Sequence, residues 1–346
     1  MHHLHGSRPE IKINFVPSNS PSGLKILVKP LCAESLGVRS TSTYVETADV
    51  RALVDAGAAL APRDGMLPHP LEYRALKAAK EKIRYYAKRS EVIVVSHYHF
   101  DHFTPFFETF DAKWTWCDKN VAEEVYSEKI VYLKDFESST NYSQRRRGWI
   151  FKKMLEKVAK KVIKADDRSF YYGGTTIKFS EPLFHGEEGS RLGFVLATTF
   201  RSRDLTFTHA SDVQGPISTK TLDLILREKP DILVIGGPPT YLTEVSEKSV
   251  EQATANLSRL VEETKLMILD HHLLRDLKAI DILKKLNEKA KKFGNKVQTF
   301  AEYQDKKNLL LEAQRKELYA KEKPDEKFLK WVNLPSEVQK GTLPPI

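Results

Sequence analysis

Cysteine is nearly absent from this chain: two residues, Cys32 and Cys117, stand among 346. Two thiols cannot staple a protein of this length, which excludes a disulfide framework and fits a reducing cytosol. Each reads as a buried packing residue, the usual state of free cysteine. Long apolar runs are missing too. No segment approaches the roughly 20 residues that a bilayer span requires, and the N-terminus has no signal-peptide core. A soluble, cytoplasmic protein that does not engage a membrane is therefore expected. Methionine is also scarce while Lys and Glu abound, a balance that suits heat adaptation.

Apolar residues make up 41% of the chain, ample for a sizeable core. The net charge of +9 speaks to partners rather than to fold. Much of the lysine falls on helical faces, Lys77 to Lys88 and Lys284 to Lys292, where solvent is the ordinary neighbour. One segment stands apart. Tyr142-Ser-Gln-Arg145-Arg146-Arg147-Gly-Trp149-Ile-Phe151, with the lysines up to Lys161, concentrates cations and aromatics. An amphipathic helix with a basic outer face accounts for most of it. Docking of an anionic substrate is the other reading, since arginine's planar fork matches phosphate.

The run Val92-Ile-Val-Val95 is β-branched throughout, as a strand buried on both faces reads. It leads straight into Ser96-His97-Tyr-His99-Phe-Asp101-His102, so four ligand-type side chains fall in the loop leaving that strand. Alternate residues of an extended segment point the same way and can converge. Imidazole nitrogen with carboxylate oxygen is a donor set that zinc accepts. His2, His3 and His5 lie in a polar, proline-containing leader and are set aside.

Residues 24–29 and 42–57 alternate like strands, the latter as a hairpin turning near Ala48-Asp49. Pro70 to Arg89 has helical periodicity and ends just before the metal-loop strand. Further strands are expected at Thr175 to Phe179, Leu192 to Thr199, Leu205 to Thr208 and Asp231 to Pro239, then a helix near Ser249 to Thr264 and a strand into His271. Two mostly buried sheets with helices outside fit an αββα sandwich.

The pattern His97-x-His99-x-Asp101-His102 resembles the signature loop of the metallo-β-lactamase superfamily. That likeness implies an α/β (α+β) fold, the four-layer αββα sandwich, with further ligands at successive strand ends. The chain supplies His185-Gly186, then Asp212 closing Leu205-Thr-Phe-Thr-His-Ala-Ser-Asp212, then Asp270-His271-His272. The resemblance covers residues 25–300. It extends to Asp55-Ala-Gly57, which in this superfamily supports the metal loop from behind. A narrower likeness, carried by Pro30 to Ser40, Leu67-Pro-His-Pro, Ser211-Asp-Val-Gln-Gly-Pro216 and Asp270 to Asp276, points to an archaeal family of this fold without an established substrate.

By this resemblance His97, His99 and His185 hold one divalent ion, Asp101, His102 and His271 a second, and Asp212 bridges them. Zinc is expected, with manganese or iron as alternatives. Two such ions acidify a shared water and polarise the bond it attacks, and Asp101 would orient the resulting hydroxide as the catalytic residue. Asp55 and Asp270 could accept ring N–H bonds from the ligating histidines. The last ligand is ambiguous. A His-x-x-x-Arg run, as in the ribonuclease Z type, fits His271 to Arg275 and favours His271, leaving His272 behind the ligands or facing substrate. His209 reads as strand-end packing, and His69, in a proline-bounded loop, as a substrate contact.

Because the ligands span His97 to His271, one catalytic domain is expected over 24–303, preceded by a disordered leader over 1–23 and followed by a charged helix and tail over 304–346. The Asp212 to His271 interval is too short for a large inserted nucleic-acid clamp. No glycine-rich turn follows a strand in the C-terminal part, which disfavours an appended flavin domain. There remains a metal-dependent hydrolase acting on an anionic small molecule or nucleic acid, with a phosphodiester or sugar-phosphate lactone leading. The alternative is a metal-containing nucleic-acid-binding or assembly module with little catalysis, for which a sealed centre would speak. A homo-oligomer stays open.

Overall fold

Thr47 accepts from the backbone N–H groups of Asp49 and Val50 (both 3.1 Å) and so turns the chain between two early strands. The computed structural model describes residues 26–346 apart from 112 and 341; the expected leader over 1–23 lies outside the described residues. Six strands form a first sheet in chain order: β1 (Leu27–Pro30), β2 (Thr43–Glu46), β3 (Arg51–Val54), β4 (Val92–Val95), β5 (Ile130–Leu133) and β6 (Lys161–Lys164). β1 to β3 are antiparallel, while β3 to β6 are parallel.

The second half supplies β7 (Ser169–Tyr172), β8 (Thr175–Phe179), a short pair β9 (Leu183–Phe184) and β10 (Phe194–Val195), then β11 (Thr198–Ser202), β12 (Leu205–His209), β13 (Ile232–Ile235), β14 (Leu266–Leu269) and β15 (Lys296–Gln298). The larger sheet runs β15-β14-β13-β12-β11-β8-β7, with β12 to β15 parallel. The strand expected over Leu192 to Thr199 is two strands. Phe194 and Val195 pair with β9, and the main sheet resumes at Thr198.

The helices are α1 (Pro70–Ala87), α2 (Val121–Tyr126), α3 (Tyr142–Leu155), α4 (Thr219–Glu228), α5 (Glu247–Glu263), α6 (Ala279–Lys291), α7 (Phe300–Tyr303), α8 (Arg315–Lys321), α9 (Glu326–Val332) and α10 (Ser336–Gln339). Side-chain alternation along β4 explains its uninterrupted apolar run. Val92 and Val94 face Phe179, Phe200, Phe207 and Val234 between the sheets, whereas Ile93 and Val95 face Leu76 and Ile83 of α1 and Phe151 of α3. Leu233, Ile235, Met267 and Leu269 pack in turn on α4, α5 and α6. The result is the four-layer αββα sandwich.

Beyond residue 304, where a charged helix and tail are expected, the chain carries α8, α9 and α10. Arg315, 1% exposed, makes two hydrogen bonds to the Glu72 carboxylate (2.8 and 2.6 Å), and Phe328 and Trp331 stack edge-on against Tyr73. Paired charges and aromatics at helical spacing bury a segment whose composition alone reads as solvated.

Candidate metal centre

Parallel pairing brings the site together. Because β3 and β4 run side by side, Asp55 and the His97 to His102 loop leave the same sheet edge. In the second sheet β12, β13 and β14 are parallel, so Asp212 and His271 leave theirs together. Strand carboxyl ends are where α/β sheets place ligand sites. Gly57 lets the chain after Asp55 pass under the metal loop: a Cβ there would lie 2.2 Å from the Phe103 nitrogen.

Asp212 is the hub. Its Oδ2 lies 2.6 Å from His185 Nε2, 3.3 Å from His97 Nε2, 3.5 Å from His102 Nε2 and 3.6 Å from His99 Nδ1. Its Oδ1 lies 3.1 Å from His271 Nε2 and 2.6 Å from His272 Nε2. Asp101 Oδ2 is 3.8 Å from Nε2 of both His102 and His271. Donor atoms of three groups each converge within 4.8 Å: His97, His99, His185 and Asp212; Asp101, His102 and His271; Asp212, His271 and His272.

The far sides of three rings are held. His102 Nδ1 meets Asp55 Oδ2 at 2.9 Å, His97 Nδ1 meets Ser96 Oγ at 3.0 Å, and His271 Nδ1 meets Glu34 Oε2 at 2.9 Å. Asp55 also takes the Ser96 N–H (2.9 Å) and the Ser96 and Ser211 hydroxyls. Asp55, Ser211 and His271 each adopt a positive φ (53°, 46° and 66°), a conformation that costs a residue with a Cβ.

The donor set fits a metal. Ring nitrogens face one another at 3.0 Å (His97 Nε2 and His99 Nδ1) and 3.3 Å (His102 Nε2 and His271 Nε2). In the second pair the outer nitrogens are given to Asp55 and Glu34, so two lone pairs meet, an arrangement that a cation resolves. Asp212 Oδ1 and both ring nitrogens of His185 are buried without a hydrogen-bond partner. Burial opposes ionisation of Asp212, yet His185, His272 and His271 hold it well below the ordinary carboxylate range. Asp101 is held low likewise, burial being outweighed by His102, His271 and Arg275. Burial pushes His97 and His99 down, toward the neutral state that ligation requires. His271 goes the other way: burial is overcome by Glu34 and Asp212, and it rises to about 9.

Several expectations change on contact with the structure. His69 is no substrate contact: 1% exposed, it caps α1 in a reciprocal pair with Glu72, and its Nε2 bonds the Glu322 carbonyl at 2.8 Å. Asp270 holds backbone rather than a ring, accepting from the N–H groups of Ser35 (3.1 Å), His271 (2.8 Å) and Phe300 (2.9 Å). Burial beside Glu34 raises it to about 6. Glu34 is the ring partner instead. It also accepts from Arg275 Nε at 2.7 Å, and Arg275 Nη2 reaches Asp101 Oδ2 at 3.3 Å. His209 donates Nε2–H to the Thr41 carbonyl at 2.8 Å, beneath Asp55.

Glu34 has no spacing signal linking it to any ligand. Tyr241, which meets His272 Nδ1 at 2.9 Å, had one: it follows β13, whose end shares the edge used by Asp212 and His271.

His99 and Asp101 open on a cavity of about 370 Å³, also lined by Arg39, Lys113, Arg147, Phe100, Trp114 and Ser336. Of the arginine triplet only Arg147 faces it, its guanidinium 4.5 Å over the Phe100 ring; Arg145 and Arg146 are exposed. Arg39 is held by Glu312 (2.7 and 2.6 Å), and Lys113 by the Leu334 carbonyl (3.3 Å), so the C-terminal segment forms one wall.

Two facing sheets with this His/Asp cluster at their carboxyl edges define a protein of the metallo-β-lactamase fold. Solved structures similar to it include the metallo-β-lactamase-fold protein YhfI of Bacillus subtilis (16% identity, TM-score 0.48, 79% of this chain and 96% of that one) and a possible metal-dependent hydrolase of Veillonella parvula (15%, 0.47, 76% and 94%). No protein-family model matches the chain. Its relatives nonetheless place it: the chain belongs to the UPF0282 family. It is 44% identical over 298 residues to the UPF0282 protein of Methanocaldococcus jannaschii (84% of this chain, 96% of the relative) and 41% identical over 298 residues to that of Methanopyrus kandleri (85% and 99%).

Proposed function

We propose that this protein is a metal-dependent hydrolase of an anionic ester, with a phosphodiester or a sugar-phosphate lactone as the leading substrate. One observation carries the reading: a convergent His/Asp cluster with unpartnered buried donor atoms opens, through His99 and Asp101, into a cavity walled by Arg39, Lys113 and Arg147. His97, His99 and His185 would hold one divalent ion, Asp101, His102 and His271 a second, with Asp212 between them. Imidazole and carboxylate without thiolate suits zinc, manganese or iron. Such ions, when bound, supply an acidified water and a Lewis acid for the ester oxygen.

The chain's own residues supply the rest. Arg275 fixes one oxygen of the Asp101 carboxylate, which keeps that side chain at the cavity floor. Arg147 forms no ion pair among the described residues, so its charge is available to an anion. Phe100 and Trp114 add apolar wall to that cavity, and a lower local dielectric strengthens the attraction. A binding module without catalysis is disfavoured by the open floor, since His99 keeps 27% and Asp101 14% of its side chain exposed. No described helix is long and apolar enough to cross a membrane, and both cysteines are free and buried, which suits a reducing cytoplasm.

The test is a metal-loaded sample assayed against phosphodiesters, lactones, thioesters and β-lactams, with Asp212→Ala in parallel. Turnover confined to the anionic esters, lost together with at least one equivalent of metal in the variant, is the expected result. Full metal occupancy in Asp212→Ala, or preference for a neutral substrate, sinks the reading.

A further inference from the structure

We infer that His272 is an additional protein ligand of the metal centre, oriented for that task by Tyr241. The inference rests on the metal reading above and goes beyond it, because the donors named there leave His272 without a role.

His271 and His272 open a short 3-10 turn, His271–Arg275, directly after β14. Adjacent side chains of an extended strand point to opposite faces. Here the positive φ of His271 (66°) breaks that alternation, and both rings turn to the same atom. Nε2 of His271 lies 3.1 Å, and Nε2 of His272 2.6 Å, from Asp212 Oδ1. That oxygen is buried and receives no well-directed N–H, so the 2.6 Å approach is poorly aligned for a hydrogen bond. One carboxylate oxygen and two imidazole nitrogens thus meet at a point, a donor set for a divalent ion.

The surroundings of His272 settle which nitrogen is free. The Gln214 amide nitrogen, a donor, stands 3.3 Å from Nε2, which therefore presents its lone pair. The proton then sits on Nδ1 and is given to Tyr241 Oη at 2.9 Å. Tyr241 is fixed in turn by Arg275 Nη1, 3.1 Å away, and its ring lies within 8° of parallel to that of His272. This is how ligating histidines are held: the outer N–H is bonded and the inner nitrogen is aimed. His271 has the same arrangement with Glu34 as its outer partner. Arg275 contacts both outer partners, so one guanidinium couples the two orientations.

The test measures metal binding, by competition with a chromophoric chelator for zinc and by the visible spectrum of the cobalt-loaded protein. In His272→Ala one of the two equivalents should weaken by at least about 100-fold with a changed cobalt spectrum; Tyr241→Phe should weaken the same equivalent by about 10-fold. His272→Gln, which keeps the side chain's bulk, guards against loss of fold and should resemble the alanine variant. If His272→Ala and His272→Gln bind both equivalents with wild-type affinity and unchanged cobalt bands, His272 is no ligand and this inference alone falls. If the wild-type protein binds no zinc or cobalt, the metal reading and this inference fall together.

Discussion

Replacing Glu34 by glutamine changes one atom and should cost the metal centre a ligand. Glu34, with 3% of its side chain exposed, places Oε2 2.9 Å from His271 Nδ1 and Oε1 2.7 Å from Arg275 Nε. Both partners donate. A glutamine of the same shape has only one oxygen. If that oxygen stays with Arg275, the amide N–H faces His271 Nδ1, which must then accept, and the ring proton moves to Nε2. Nε2 is the nitrogen aimed at Asp212, so His271 can no longer ligate. If the oxygen turns to His271, an N–H opposes the Arg275 Nε–H, and a buried guanidinium loses its Nε partner while Asp101 (3.3 Å) and the Tyr241 hydroxyl (3.1 Å) remain on its other nitrogens. The first outcome should weaken metal binding by about 10- to 100-fold, or about 1.4 to 2.7 kcal/mol. The second should cost the metal-free fold on the order of 3 kcal/mol, as stranding one member of a buried pair does. Chelator competition reads the first and denaturant unfolding of metal-free protein the second. A Glu34→Gln protein with wild-type values in both would refute the reasoning, because neither the His271 tautomer nor Arg275 would then depend on that carboxylate.

Arg147→Ala should raise KM for an anionic substrate about tenfold at low salt and leave the metals bound, whereas Arg145→Ala and Arg146→Ala should change little; equal effects at all three positions would show that only net charge matters. Glu312, brought down from 4.5 to about 2 because its pairing with Arg39 outweighs burial, has a folded pKa below its unfolded one. The stabilisation it gives is therefore full above pH 4.5 and lost as pH falls toward 2, about 3 kcal/mol in all. Urea unfolding of wild type and Glu312→Gln should accordingly differ most above pH 4.5 and converge on acidification, and a pH-independent difference would contradict this. Gly57→Ala must push aside the backbone of His102 and Phe103, whose nearest atoms would lie 2.6 and 2.2 Å from the new Cβ. Loss of metal binding with a lowered melting temperature is expected, and a wild-type melt with full metal content would show that the loop yields freely.

The sequence by itself determined what repeats over short intervals. The β-branched run of β4 announced a strand buried on both faces, and the ligand-type residues after it needed no neighbour to be seen, because strand and loop are contiguous. His185, Asp212 and His271 were picked out by the resemblance, which expects ligands at later strand ends, and they follow β9, β12 and β14. Tertiary structure decided everything that joins distant segments. Glu34 meets His271 across 237 positions and Arg39 meets Glu312 across 273, and no periodicity records such pairs. His69 carried the right chemistry for a site, yet its place at the start of α1 gave it to the helix cap. Arg145, Arg146 and Arg147 read alike in sequence, but successive helical residues are turned about 100° apart, so only one could face the cavity. The C-terminal segment was expected as a charged helix and tail, because charge dominates its composition; Phe328, Trp331 and the buried Arg315–Glu72 pair reveal their burial only when the surface they cover is present.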